Sequence, residues 1–311
     1  MILDLSILAV AFAISVVLYP SLIRGFQRLR VGQVVQAELS NEHQRKAGTP
    51  TGGGILFIVM GIVGGLLATR NHPGALAPTV ALALYGALGF FDDMAKLRFG
   101  SVGIPARYKF PLQLMVAIPI VALATVQQHP IRFDMIHQWY YWPLALAAVV
   151  GAANAVNLTD GLDGLAGGLA AIAILGTTFL LPGAGFGERA VAMSLAGGVF
   201  AFLVYNRHPA RVFMGDTGAL GLGAGLSAMA IQQGWVLLLL LLCLVFALET
   251  MSVILQVGYF KATGGRRLFK MTPIHFTFQL EGWSEKRIAL AFWSAGVLAA
   301  VASGWIAHSL L

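Results

Sequence analysis

The chain has 311 residues, of which 58% are hydrophobic and only 11% are charged, and its formal net charge at pH 7 is +7. A soluble domain carries roughly 25% charged residues, and a disordered chain combines low hydrophobicity with high charge, so this composition excludes both classes. It favours a membrane protein. In such a protein an excess of basic residues usually reflects which loops lie in the cytoplasm, so the positive charge does not predict a nucleic-acid partner.

Ten apolar segments follow one another along the chain, and each is long enough, or nearly so, to cross a bilayer as a helix. They cover about 2–22, 54–69, 74–91, 111–127, 141–157, 166–182, 190–205, 217–231, 235–258 and 288–310. The sequence therefore predicts an all-α polytopic membrane protein of about ten transmembrane helices. The whole of 1–311 is predicted to form a single integral-membrane domain.

Lysine and arginine are distributed unevenly between the loops that join these segments. Seventeen of them fall in the odd-numbered loops, and three fall in the even-numbered loops and the two tails. Because basic residues are retained on the cytoplasmic side, both termini are predicted to be extracytoplasmic. The predicted cytoplasmic loops are about 24–53, 92–110, 158–165, 206–216 and 259–287.

Five aspartates and two asparagines gather on the predicted cytoplasmic side, where three apolar segments begin or end. They are Asp92, Asp93, Asn154, Asn157, Asp160, Asp163 and Asp216. Helix capping alone explains a single aspartate at such a position, but five carboxylates repel one another and favour a bound cation. Oxygen ligands of this kind, few in number and shared with substrate phosphates, suit Mg²⁺.

Basic side chains surround these carboxylates in the sequence. Lys96 and Lys109 follow Asp92 in the same loop, and Arg211 precedes Asp216. Topology alone accounts for basic residues in such loops, but carboxylates for a metal beside cations for anionic oxygens are typical of phosphoryl transfer. A Walker-type glycine-rich loop is missing from the sequence, which argues against a P-loop ATPase. Glu249, deep in a span, indicates either an ion path or a structural hydrogen bond.

Five motifs occur in order along the whole chain. They are Gly-Thr-Pro-Thr-Gly-Gly-Gly (48–54), Gly-Phe-Phe-Asp-Asp (89–93), Asn-Ala-Val-Asn-Leu-Thr-Asp-Gly-Leu-Asp-Gly-Leu-Ala (154–166), Phe-Met-Gly-Asp-Thr-Gly (213–218) and Thr-Pro-Ile-His (272–275). Together they resemble the polyprenyl-phosphate N-acetylhexosamine-1-phosphate transferases, and within that family the branch that transfers a muramoyl sugar.

The resemblance implies a magnesium-dependent, multi-pass enzyme of the bacterial plasma membrane with its active site on the cytoplasmic face. Such an enzyme transfers phospho-N-acetylmuramoyl-pentapeptide from a UDP-linked donor to undecaprenyl phosphate, which forms lipid I and UMP in peptidoglycan synthesis. Membrane lipid is a further implied partner, and a homodimer is left open.

The resemblance also implies roles for individual residues. Asp216 resembles the magnesium ligand, and Asp93, with Asp92 beside it, resembles the carboxylate that activates the lipid phosphate. Asp163 and His275 complete the predicted catalytic set. The predicted substrate-binding residues are Lys46, Lys96, Lys109, Asn157, Asp160, Asn206 and Phe213, of which Phe213 resembles an aromatic side chain that stacks on uracil.

One departure from the family pattern leaves the donor open. The muramoyl-transferring branch usually has three consecutive histidines after Pro-Ile, whereas this chain has His275-Phe276-Thr277. The alternative is transfer of N-acetylglucosamine-1-phosphate or a related UDP-sugar. Two mechanisms also stay open, direct attack by the lipid phosphate and a two-step route through an aspartyl-phosphate on Asp93. A membrane transporter is a distant alternative, because its polar residues should lie near mid-membrane in repeated halves.

Overall fold

The computed structural model describes residues 1–28, 48–99, 103–126 and 140–311. Within those ranges the regular secondary structure is helical, which confirms the predicted all-α class. In chain order the helices are α1 (Ile2–Arg28), α2 (Gly54–Thr69), a 3-10 turn (Pro73–Ala75), α3 (Leu76–Phe99), α4 (Ala106–Val126), α5 (Tyr141–Thr159), α6 (Leu165–Phe179), α7 (Phe186–Asn206), α8 (Gly215–Gln233), α9 (Val236–Leu242), α10 (Leu244–Ala262), α11 (Ile274–Leu280) and α12 (Glu285–Ser309).

Seven of the described helices are long and apolar enough to cross a membrane. They are α1, α3 with the preceding turn, α4, α5, α7, α10 and α12. The apolar helices α2 and α6 are shorter, with 16 and 15 residues. The predicted segment 235–258 is interrupted at Cys243, where α9 ends and α10 begins. The fold is thus that expected of a polytopic membrane protein.

Helix α8 lies at the centre of the bundle, and every residue from Asp216 to Gln233 is buried. Its most extensive contacts are with α3 and α5. Small residues make this close packing feasible, because a Cβ built on Gly54 would overlap the Cα of Gly218, and one on Gly223 would overlap the backbone of Ala152. Glycine at helix contacts allows backbones to approach closely in membrane proteins.

Backbone pairing joins the first motif to the fourth. The amide of Gly53 donates to the carbonyl of Phe213 at 2.8 Å, and the amide of Phe213 donates to the carbonyl of Pro50 at 2.7 Å. The hydroxyl of Tyr19, buried in α1, donates to the carbonyl of Gly53 at 3.0 Å. The segment before α2 is therefore held against the segment before α8, at the end of the bundle where the predicted site residues lie.

Candidate active site

Asp93 binds the first turn of α8 from the neighbouring helix α3. Its carboxylate accepts hydrogen bonds from the amides of Asp216 and Thr217, both at 3.0 Å, and from the Thr217 hydroxyl at 2.7 Å. The first amides of a helix have no partner within the helix and carry a partial positive charge, so a carboxylate is stabilising there. Gly89 permits this approach, since a Cβ on it would overlap the backbone of Asp216.

The Asp216 carboxylate bonds to a different set of groups, all of them donors. Its Oδ1 accepts from the Lys96 ammonium at 2.6 Å and from the Asn157 amide at 3.0 Å, and its Oδ2 accepts from the Lys109 ammonium. These donors come from α3, α4 and α5. Asp216 is therefore the point at which four helices meet.

Asp92 joins the same two lysines from the other side. Its Oδ2 lies 2.9 Å from the Lys96 ammonium and 3.1 Å from the Lys109 ammonium, and its Oδ1 accepts from the Ile104 amide at 2.7 Å. Asp92, Asp216 and the two lysines thus form a ring of alternating charge, which we call the Asp–Lys ring. Cations held in this way can also bind the oxygens of phosphate groups.

Asp160 lies in the turn after α5, close to the Asp–Lys ring. The residue is half-buried, and burial together with repulsion from the carboxylates of Asp216, Asp93 and Asp163 raises the pKa of Asp160 to about 7. A backbone hydrogen bond from Gly215 opposes this rise. Such a concentration of carboxylates is what a divalent cation relieves.

Asp163 belongs to a second group of side chains. Its carboxylate accepts from the Ala210 amide at 3.0 Å and lies 3.1 Å from Nδ1 of His208. Glu285, at the start of α12, accepts from the Asp163 amide at 3.3 Å and lies 3.7 Å from Nδ1 of His208. Glu285 falls in the predicted cytoplasmic loop 259–287, but the sequence gives no signal for its role, because a lone glutamate at the start of a helix resembles an ordinary first-turn acid.

The two groups differ in how well they suit Mg²⁺. Asp163, His208 and Glu285 offer ligand atoms within 4.8 Å of one another, but a ring nitrogen is a better ligand for zinc or a transition metal. Asp216 shares two lysines with Asp92, it is close enough to Asp160 to raise the pKa of that carboxyl, and the lysines can bind substrate phosphates. Mg²⁺ prefers one or two carboxylates plus phosphate oxygens, so the chemistry of the first group fits it.

Asn206 is predicted to bind substrate, but its amide is occupied by backbone groups. Its Oδ1 accepts from the Gly164 amide at 2.9 Å, its Nδ2 donates to the Val212 carbonyl at 2.8 Å, and the residue is buried. Asn206 thereby fixes the loop before α8 against the turn before α6. Phe213 follows directly after Val212 and is half-buried, so Asn206 positions the loop that carries it.

Replacing Asn206 with alanine is expected to destabilise the fold by about 2 kcal/mol or more, because each buried backbone group left without a partner costs about 1–3 kcal/mol. Thermal unfolding in detergent measures the effect. Asn157→Ala is the matched control. Asn157 is half-buried and donates to Oδ1 of Asp216, which keeps the Lys96 ammonium as a donor, so its loss should leave the unfolding temperature near that of the wild type. Equal unfolding temperatures for Asn206→Ala and the wild type would contradict this role.

The predicted site residues thus fall into three places. The Asp–Lys ring brings together Asp92, Lys96, Lys109 and Asp216, with Asp93, Asn157 and Asp160 in contact with it or beside it. Asp163 and Asn206 hold the adjoining loops. His275 is fully buried beneath the turn that carries Gly161. Lys46 lies outside the described residues.

The model of the glycosyl transferase family 4 matches residues 75–234, the part of the chain that contains the Asp–Lys ring. The chain belongs to glycosyl transferase family 4. Among characterised members it is similar to the phospho-N-acetylmuramoyl-pentapeptide-transferases. It is 43% identical to that of Geobacillus kaustophilus in an alignment of 307 positions that covers 94% of each chain. It is 41% identical to that of Listeria monocytogenes in an alignment of 315 positions that covers 96% of each chain. It is also 41% identical to that of Bacillus cereus in an alignment of 307 positions that covers 94% of each chain. The family resemblance predicted from the five motifs is confirmed.

Proposed function

We propose that this protein transfers phospho-N-acetylmuramoyl-pentapeptide from its UDP carrier to undecaprenyl phosphate, which forms lipid I and releases UMP. The observation that carries the proposal is the Asp–Lys ring at one end of the helical bundle. The chain that holds it is 43% identical to a phospho-N-acetylmuramoyl-pentapeptide-transferase. The whole of 1–311 acts as one membrane domain, with the UDP-linked donor, undecaprenyl phosphate and membrane lipid as partners.

The topology proposed for this enzyme has ten spans, with the site on the cytoplasmic face of the bacterial plasma membrane and both termini outside. The distribution of lysine and arginine supports it. The order of helices supports it too, because α5 and α7 both end at the site, so α6 has to run away from the site before α7 returns. In this topology a short apolar helix such as α6, with 15 residues, also crosses the membrane.

In the proposed site, Asp216 would hold Mg²⁺, and the bound ion would supply positive charge to offset the negative charge of the departing UMP. Lys96 and Lys109 bind the phosphate oxygens in this proposal, because their ammonium groups lie beside the carboxylates at which the metal and the phosphates would meet. Binding of the nucleotide is assigned to Asn157, Asp160 and Phe213.

The roles of the two adjacent aspartates are proposed from their hydrogen bonds. An attack by Asp93 on phosphorus would require it to give up three hydrogen bonds to the start of α8. Asp92 instead bonds to lysine side chains that can shift. We therefore propose that the Asp92 carboxylate lies beside the lipid phosphate and that Asp93 positions Asp216. The lipid phosphate then attacks the donor directly.

The proposal is tested by measuring UMP release from purified protein with Mg²⁺ and undecaprenyl phosphate. UDP-N-acetylmuramoyl-pentapeptide and UDP-N-acetylglucosamine are compared as donors, and release is expected only with the muramoyl donor. Because direct attack needs the acceptor, no stoichiometric burst of UMP is expected when undecaprenyl phosphate is omitted. Omission of Mg²⁺ is expected to abolish release.

Each other result has a definite meaning. Release only with UDP-N-acetylglucosamine would move the protein to the other branch of the family. A burst of one UMP per enzyme without the lipid would support the two-step route and contradict direct attack. Folded protein that releases UMP from neither donor would contradict the proposed function.

A further inference from the structure

Glu249 is a buried carboxylate in α10 that the Asp–Lys ring does not use. Its partner is His275 in the first turn of α11, and neither residue has any solvent exposure. Oε2 of Glu249 lies 3.1 Å from Nδ1 of His275 and 3.5 Å from the backbone amide of the same residue. The carboxylate therefore contacts both the imidazole and the backbone amide of His275.

Stability alone gives a poor reason for such a pair. Desolvation of two ionisable groups can cost more than their attraction returns. In addition, Oε1 of Glu249 and Nε2 of His275 make no hydrogen bond to any residue that the structure describes. Buried polar atoms without a partner are uncommon in folded proteins, and each costs about 1–3 kcal/mol, so a role in the site is the better explanation.

Nε2 of His275 faces the turn between α5 and α6. A Cβ built on Gly161 would overlap Nε2 and also approach Cε1 of the same ring. Gly161 lies directly after Asp160 and two residues before Asp163. The imidazole thus packs directly against this acidic turn. Phe276 packs on the imidazole, with its ring centroid 4.1 Å from that of His275.

The two residues after His275 have other structural roles. Phe276 packs on the imidazole, and the Thr277 hydroxyl donates to the Met271 carbonyl at 2.6 Å and accepts from its amide at 3.2 Å. Neither of these side chains takes the place of the imidazole between Glu249 and Gly161. The departure from three consecutive histidines therefore leaves this contact intact.

We propose that Glu249 is a positioning residue for the transfer reaction. It holds His275 with the proton on Nδ1, so that Nε2 faces Gly161 and the imidazole sets the position of the turn that carries Asp160 and Asp163. A neutral imidazole has one N–H, and an acceptor at Nδ1 decides which nitrogen carries it. The inference rests on the proposed function, since it explains how that site is held in place.

The test compares Glu249→Ala, Glu249→Gln and the wild type. Loss of a carboxylate that orients a metal-ligating histidine costs about 10–100-fold in affinity or activity. We expect an effect of similar size here, so Glu249→Ala should lower kcat by that factor while KM for UDP-N-acetylmuramoyl-pentapeptide changes less than about threefold. Glu249→Gln should recover part of kcat, because its amide oxygen can accept from Nδ1. Glu188→Gln is the matched control and should keep the wild-type kcat, as Glu188 is a buried carboxylate that binds Gln233 at the far end of α8.

A second measurement reads the histidine itself and needs no turnover. In protein labelled with ¹⁵N-histidine, the signals of His275 are identified by their loss in His275→Gln. The wild type should carry the proton on Nδ1, and Glu249→Ala should show a mixture of the two tautomers. A role limited to stability would lower the unfolding temperature and leave the tautomer unchanged.

Three results would overturn the proposal: a proton on Nε2 in the wild type, an unchanged tautomer in folded Glu249→Ala, or an unchanged kcat in that variant. Should Glu249→Ala fail to fold, the wild-type tautomer and the kcat of Glu249→Gln decide. Wild-type protein that releases no UMP would instead contradict the proposed function, and the tautomer measurement would still decide whether Glu249 orients His275.

Discussion

Asp216→Asn is expected to lower UMP release by about 10³-fold or more. Removal of a single group that stabilises transition-state charge costs about 10²–10³-fold, and Asp216 is also the proposed holder of Mg²⁺. Asparagine keeps the shape of the side chain but turns one oxygen into a donor, which then faces the ammonium of Lys96 or Lys109. The measurement is kcat with saturating donor, undecaprenyl phosphate and Mg²⁺.

Asp4→Asn is the control for this variant. Asp4 is another buried aspartate, it lies 3.3 Å from Arg189, and both residues are at the opposite end of α7 from the site. Its replacement should leave kcat unchanged. A titration with Mg²⁺ should show that Asp216→Asn needs a higher concentration for half of its residual activity. Turnover within tenfold of the wild type would remove Asp216 from the site.

Asp92→Asn and Asp93→Asn are expected to reduce turnover for different reasons. Asp92→Asn removes a charge from the Asp–Lys ring, so kcat should fall about 10²–10³-fold with little change in unfolding temperature, because Lys96 and Lys109 both reach solvent. Asp93→Asn turns one of the two acceptor oxygens that bind the first turn of α8 into an NH2 group, which then faces N–H or O–H donors. A buried donor left without a partner costs about 1–3 kcal/mol, so both kcat and the unfolding temperature should fall.

The comparison of the two variants is decisive because the residues are adjacent and identical in type. Thermal unfolding and UMP release are measured on the same preparations. Should Asp93→Asn keep the wild-type unfolding temperature while Asp92→Asn loses it, the assignment of a positioning role to Asp93 would be reversed. Wild-type turnover in Asp92→Asn would remove that carboxylate from the reaction.

The sequence was most informative where a residue pattern depends on the surrounding solvent. Long apolar runs predicted helices, and α1, α7 and α12 lie where these runs indicated. The sequence placed the start of a loop at Asp92, but α3 continues to Phe99. The extension has a physical consequence, because Asp92 and Lys96 are then four residues apart on one helix and face the same partner.

The role of α8 shows why apolar length is an incomplete guide. The sequence predicts a span over 217–231, yet α8 is not among the described helices that are long and apolar enough to cross a membrane. It is rich in glycine and alanine because it is enclosed by protein on all sides, where close backbone packing matters more than contact with lipid. Hydropathy reports how well a helix suits contact with lipid, and it does not report how closely its backbone can pack against other helices.

The sequence by itself determined the helical membrane class, the family and the set of polar residues that gather at one end of the bundle. These depend on composition and on motifs of adjacent residues. Only the tertiary structure decided how that set divides, because adjacent residues on a helix point about 100° apart. That rotation directs Asp92 to the lysines and Asp93 to the start of α8. Helix packing brings Glu249 against His275, which is 26 residues away in the chain. Such contacts depend on which helices are neighbours, and residue spacing along one helix does not specify this.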